Sequence, residues 1–169
     1  MNINKKCLNY LRTLSCEMIT NANSGHPGVA LGATEIMYAL FKDHYFYDVK
    51  DHKFFPRDRF VLSCGHASAL YYATAYMFNF GLSEDDLKNF RQLDSKTPGH
   101  PEYNTTNFVE VSTGPLGQGV ANAVGMAIAE TMVSSRFNAQ KYPVIDNYPY
   151  CLCGDGCLME GVAMEAVSL

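Results

Sequence analysis

Apolar positions in the opening segment recur at helical spacing. Leu8, Leu11, Met18, Ile19 and Ala22 share one face, which predicts an amphipathic helix ending near Asn23. The segment SGHPG, Ser24 to Gly28, is a turn by composition, and ALGATEIMYALF behind it predicts a second helix. After an aromatic-rich loop through Phe55, the run Phe60 to Leu62 has the length of a short buried parallel strand, with Gly65 and His66 just past it. Ala67 to Phe80 again has a helical pattern. Ser83, with Asp86 three residues on, has the form of a capping box for a helix ending near Leu93.

From Asp94 to Thr113 the chain is polar and rich in turn formers, and so long a loop in a compact domain usually serves function. GPLGQG, Gly114 to Gly119, then opens a helix, GVANAVGMAIAETMVSSRF, whose small residues suit close packing on a sheet. Tyr150 to Cys153 predict a second buried strand. GDGCLMEG, Gly154 to Gly161, follows directly, and a helical stretch runs to Leu169. Helices alternating with short strands predict an α/β fold with an open, mostly parallel sheet flanked by helices. Ligands of such sheets bind beyond the carboxyl ends of the strands.

Composition narrows the classes. A chain of 169 residues, 47% hydrophobic and 18% charged, has room for one globular domain with a sizeable core, not a disordered tail or a fibre. No apolar run approaches the roughly 18 residues that cross a bilayer, and Arg12 and Glu17 interrupt the opening segment, so no membrane partner and a cytoplasmic location are expected. Six cysteines are then most simply reduced thiols. Cys151, Cys153 and Cys157 cluster without the second pair that a structural zinc site needs, and read as core packing. A net charge of −4, from 13 Lys and Arg against 17 Asp and Glu, offers no basic footprint for nucleic acid.

Candidate chemistry follows both predicted strands. Asp155, between Gly154 and Gly156, offers a hard oxygen ligand where the backbone lets a ligand come close, which suits magnesium holding a diphosphate. Alone, GDG reads equally as a tight turn whose Asp caps the next helix. The dinucleotide fingerprint GxGxxG does not fit, because the third glycine comes two residues late and an acidic group would repel a bare pyrophosphate. GPLGQG at a helix entrance offers free backbone donors for an anion, and also reads as simple helix-start packing. Three of the five histidines, His26, His66 and His100, follow glycine in loops, whereas His44 and His52 do not. Imidazoles gathered from such loops can pass protons to and from sugar hydroxyls. Cys64 and His66 lie too close on one turn to form a nucleophile pair.

In order, ANSGHPG, RDRFVLSCGHAS, PGHPE, STGPLGQGVANAVGMA and GDGCLMEGVAMEA resemble the transketolases over essentially the whole chain. Deoxyxylulose phosphate synthases and the pyruvate dehydrogenase family share the GDG element but not this combination. The resemblance implies a thiamin-diphosphate-binding fold, incomplete at its C-terminal end, with residues 1–169 forming the N-terminal portion of the diphosphate-binding domain. It implies a homodimer with the cofactor between subunits, and reversible transfer of a two-carbon ketol unit between a ketose phosphate and an aldose phosphate. Carried over by motif, Asp155 ligates magnesium, or calcium in its place. Gly114, Pro115, Leu116 and Gly156 contact thiamin diphosphate, and His66 reaches its diphosphate. His26 and His100 face the sugar phosphate as catalytic groups. Glu160 resembles a residue at the subunit contact, and reads equally as an exposed carboxylate in a first helical turn.

The family signature continues roughly 25 to 30 residues beyond GDG, to an asparagine pair that completes the magnesium shell. Leu169 lies 14 residues after Asp155, and the domain carrying the ring-activating glutamate lies elsewhere, so these 169 residues by themselves are expected to be inactive. Two alternatives share the motifs: a related thiamin enzyme such as dihydroxyacetone synthase, and a non-catalytic module binding a partner through the same crevice.

Overall fold

The computed structural model describes residues 2–139 and 142–169. Helix α1, Ile3–Asn21, starts at Asn2, whose side chain accepts the Asn4 N–H at 3.1 Å. It buries Leu11, Ser15 and Met18 against the later helix α4. Ser15 is tolerated on that face because its hydroxyl donates to the Leu11 carbonyl at 2.7 Å. The helix stops slightly short of Asn23, which takes a left-handed φ of 48° and swings the chain into the SGHPG turn.

The expected second helix is broken into α2, Pro27–Gly32, and α3, Thr34–Ala39, followed by a single π turn, Leu40–His44. Ala33 at the break has φ −106° and ψ 6°, and the buried Thr34 hydroxyl donates back to the Ala30 carbonyl. Such back-bonding bends helices, and Gly32 beside it weakens the turn.

Strand β1, Arg59–Leu62, pairs in parallel with β2, Pro149–Leu152, setting Phe60 beside Tyr150 and Leu62 beside Leu152. β2 therefore lies one residue ahead of the expected Tyr150 to Cys153. Asp58 accounts for the register: its buried carboxylate accepts the N–H of Phe46 at 2.8 Å and of Tyr148 at 2.7 Å, pinning the entrances of both strands.

Between the strands come a 3-10 turn at Gly65–Ala67, α4 at Ser68–Met77, α5 at Glu84–Lys88 and α6 at Gln118–Phe137. The capping box is present, with Ser83 accepting the Asp86 N–H at 3.2 Å and Asp86 accepting the Ser83 N–H at 2.8 Å. α5 nonetheless ends well before Leu93, because Asn89 leaves helical geometry and Arg91 takes a φ of 63°. The stretch from Asp94 to Gly117 carries no helix or strand. It is tied to α4, where Ser68 donates to the Gly99 carbonyl at 2.7 Å and Tyr71 to that of Phe108 at 3.0 Å. After β2 the helical stretch divides into α7, Asp155–Leu158, and α8, Gly161–Val167, because Glu160 adopts an extended ψ of 137°.

Both faces of the strand pair are covered, since Val61 is as buried as Phe60 and Leu62 and the core extends to Val120 on α6 and Ala163 on α8. Phe60 meets Phe41 and Tyr71 at ring separations of 5.3 and 5.0 Å, and Phe80 closes on Phe41 at 5.8 Å. On the other side, α6 rests on β1 at backbone contact. A Cβ on Gly119 would stand 2.5 Å from the Ser63 Cα, and the Ser63 hydroxyl accepts the Val120 N–H at 3.1 Å. Only glycine allows this approach, and it brings the α6 N-terminus over the exit of β1. All six cysteines are unpaired, with Cys64 and Cys157 buried in the core. No helix among the described residues is long and apolar enough to cross a membrane.

Candidate functional site

Because β1 and β2 are parallel and level, both carboxyl ends open at one edge. From β1 the chain passes Ser63 and Cys64 to Gly65 and His66, and from β2 it passes Cys153 and Gly154 to Asp155. The long loop closes on the first exit. A Cβ on Gly65 would fall 2.9 Å from the Gly114 nitrogen and from Thr113 Oγ1, so the loop backbone is seated directly on the residue before His66. Gly114 lies in turn against the His100 ring, whose Cδ2 would be 3.5 Å from a Cβ there. His26 reaches the same place from the turn ahead of α2, and its ring stands edge to face with His66 at 5.2 Å.

His66 and His100 are shifted in the same direction. Burial holds His66 below its ordinary value of 6.5, and the His26 charge adds to this. His100 is likewise held below 6.5, first by burial and then by Arg91, His26 and His66. Neutral imidazoles at physiological pH can accept a proton or orient a hydroxyl. His44 ends the π turn and His52 lines a small cavity with Tyr47, Arg57 and Glu110, so neither joins the cluster.

Glycines also bring the two Gly-rich segments together. A Cβ on Gly156 would stand 3.3 Å from Leu116 Cδ1. Gly117, with φ 81°, would place a Cβ 2.6 Å from Glu160 Cβ. GPLGQG therefore lies along GDGCLMEG. Glu160 is the exposed residue just before α8, a cap position and not the first turn, and its side chain makes no capping bond.

The residues present fit a diphosphate. Nothing lies within 4 Å of where a side chain on Gly154 would sit, and Asp155 is exposed at the first position of α7, so the peptide edge and a carboxylate are both open to a ligand. The cap residue of α6, Gly117, supplies no side-chain cap; Ser63 takes the Val120 N–H, and the positive end of a long helix dipole faces the same edge. Thr113 Oγ1, buried at the Gly65 junction, has no hydrogen-bond partner. Among the described residues no three His, Cys, Asp or Glu side chains are grouped to enclose a metal. A lone carboxylate is a donor set suited to magnesium that takes its other ligands from phosphate oxygens.

Cys64 has no nucleophilic role here. It is buried, its Sγ faces the Leu152 carbonyl at 3.6 Å, and burial pushes the thiol up to about 11. Thr113 and Arg91 were not among the residues expected at the site. Neither stands in a motif, and the only prior signal was the length of the loop that carries Thr113.

Parallel strands with open glycine turns at their carboxyl ends and histidines gathered above them define an α/β domain built to hold a phosphorylated ligand at the sheet edge. The chain belongs to the family described as the transketolase, thiamine diphosphate binding domain, which matches residues 3–169. It is 56% identical to the transketolase of Aquifex aeolicus (strain VF5) over 167 residues, covering 99% of this chain and 24% of that protein. The transketolase structure from Leishmania mexicana superposes with a TM-score of 0.96 at 48% identity, covering 99% of this chain and 25% of that one. A Pichia stipitis transketolase in complex with sedoheptulose-7-phosphate superposes with a TM-score of 0.94 at 48% identity, covering 96% of this chain and 24% of that one. The chain thus spans about a quarter of the length of the relatives it matches.

Proposed function

We propose that the complete protein is a transketolase, transferring a two-carbon ketol unit between sugar phosphates with thiamin diphosphate and magnesium. The observation that carries this reading is the meeting of His26, His66 and His100 at the exit of β1, beside an open GDG turn at the exit of β2. When bound, thiamin diphosphate supplies a carbon nucleophile and an electron sink for cleaving the bond next to a ketose carbonyl. Asp155 holds the magnesium, and Gly156 and the Gly114, Pro115 and Leu116 backbone line the cofactor. His66 donates a hydrogen bond to the diphosphate.

His26 and His100 face the sugar. They would orient the donor's hydroxyls, and His100, held below its ordinary value by burial, would hold or pass a proton at the hydroxyl next to the ketose carbonyl. Burial of His100 supports this role, because a base held below 6.5 is unprotonated and ready at neutral pH. The assembly is a homodimer, a reading supported by the apolar surface that Met132 on α6, Met159 and Met164 leave exposed at 67%, 82% and 55%. A cytoplasmic location is supported by six unpaired thiols.

The test is a ketol-transfer assay on the complete protein, with sedoheptulose 7-phosphate as donor and an aldose phosphate as acceptor. Transfer that depends on both thiamin diphosphate and magnesium is expected. Absence of transfer with both present, or equal transfer without them, overturns the proposal.

A further inference from the structure

Arg91 connects two parts of the histidine cluster that have little else in common. Its backbone stands at a left-handed φ of 63°, held by its N–H donating to the Thr97 carbonyl at 3.0 Å. From there the side chain runs back over Gly99. A Cβ on Gly99 would meet Arg91 Cζ and Nε at 3.3 Å, so the guanidinium lies against the backbone of the residue preceding His100. At its far end Nη1 donates to Ser24 Oγ at 2.8 Å, two residues before His26. Among the described residues this is the one side-chain hydrogen bond joining the turn at residues 22–28 to the rest of the chain. Gly99 is itself anchored, since its carbonyl accepts the Ser68 hydroxyl at the start of α4.

We propose that Arg91 is a positioning residue, which by bonding Ser24 and lying on Gly99 sets the separation of His26 and His100 across the substrate. The inference rests on the reading of those histidines as groups that face the sugar. It needs arginine and not lysine, because a planar fork can lie flat on a glycine while aiming an N–H at a hydroxyl. The same placement gives the charge a second effect. The charged and titratable groups facing His100 are Arg91, His26 and His66, and of these only Arg91 is permanently positive, so it favours the neutral imidazole.

The experiment compares Arg91→Met, Arg91→Lys, Ser24→Ala, the double variant Ser24→Ala with Arg91→Met, and His100→Ala, all in the complete protein. Thiamin diphosphate affinity, kcat, KM and the pH profile of kcat/KM are measured for each. Arg91→Met should keep cofactor affinity and lose on the order of tenfold to a hundredfold in kcat/KM, the scale of a misplaced reacting group. Its acid limb should move to higher pH, because His100 loses a neighbouring positive charge. Arg91→Lys should restore the limb but not the rate. Ser24→Ala should cost activity alone and nothing further in the Arg91→Met background, since both remove one link.

Additive effects of the two substitutions, or an unmoved acid limb with cofactor affinity falling in step with activity, would overturn the inference. Ser24 is exposed, so Ser24→Ala carries the test should Arg91→Met fail to fold, and an unaltered kcat/KM in that variant overturns the inference too. His100→Ala separates the two levels. Normal turnover in His100→Ala removes the reading beneath, whereas impaired His100→Ala beside normal Arg91→Met overturns this inference alone.

Discussion

The imidazole rings of His26 and His66 meet edge to face, with centroids 5.2 Å apart and planes inclined at 61°. Two imidazoles this close disfavour double protonation, and burial already holds His66 below 6.5. His100 is depressed in the same way. In the unfolded chain both return to about 6.5, so at acid pH the unfolded state binds more protons than the folded one. Their full contribution to stability is therefore present above 6.5 and is lost as pH falls from there through the lower folded values. The melting temperature of the complete protein should fall between pH 7 and pH 5, and a His66→Gln, His100→Gln variant should show a flatter profile over that window. An equally steep profile in the variant would contradict this origin.

The two histidines should separate in a kinetic comparison. His100 lies against Gly114, on the loop above the β1 exit, while His66 stands on the exit itself. His100→Ala should spare thiamin diphosphate affinity and lower kcat/KM on the order of a hundredfold at saturating cofactor. His66→Ala should weaken cofactor affinity first. Titrating the cofactor in both variants decides, and the reverse pattern would mean the roles are exchanged.

Asp155 is exposed and makes no hydrogen bond that the fold relies on. Asp155→Ala should leave the cofactor-free melting temperature within about a degree, as surface substitutions do. Loss of an outer-sphere partner typically weakens a metal site by about ten- to a hundredfold, and loss of the ligand itself should exceed that. Calorimetry of thiamin diphosphate with and without magnesium measures it, and chelation should reduce the wild-type affinity to that of the variant. Magnesium dependence surviving in Asp155→Ala would rule out the assignment.

The contact between α6 and β1 predicts opposite outcomes for two glycines on one helix. Gly119→Ala drives a Cβ to 2.5 Å from the Ser63 Cα, a backbone atom that cannot rotate away. The expected destabilisation is about 1–3 kcal/mol, as for other overpacked contacts. Gly125, also within α6, has nothing within 4 Å of its Cβ position. Gly125→Ala should be stabilising by up to about 1 kcal/mol through helix propensity. Denaturant unfolding of the two variants reads both signs directly.

Element order, both strands, the capping box at Ser83 and the long loop were legible because each depends on local pattern. What escaped depends on approach in space. The break between α2 and α3 follows from the buried Thr34 hydroxyl turning back on Ala30, and the early start of β2 follows from Asp58 gripping Tyr148. The end of α5 follows from the turn at Arg91. At the site, His26, His66, His100 and Asp155 were visible because glycine marks each of them in the sequence. Arg91 and Thr113 were not, since an arginine after a helix and a threonine in a loop acquire meaning only when Gly99 and Gly65 come to lie against them.

Leu62 and Leu152 are strand partners 90 residues apart, and the Asp58 carboxylate closes the same span onto Tyr148. Parallel pairing across such a separation is slow, because most of the chain's freedom is surrendered before the contacts form. His66 and Asp155 come to one edge only after that closure. The ligand site is thus expected to form late in folding, so that thiamin diphosphate would bind the finished structure and not template it. Refolding of the complete protein should proceed at the same rate with and without cofactor, while unfolding slows as its concentration rises.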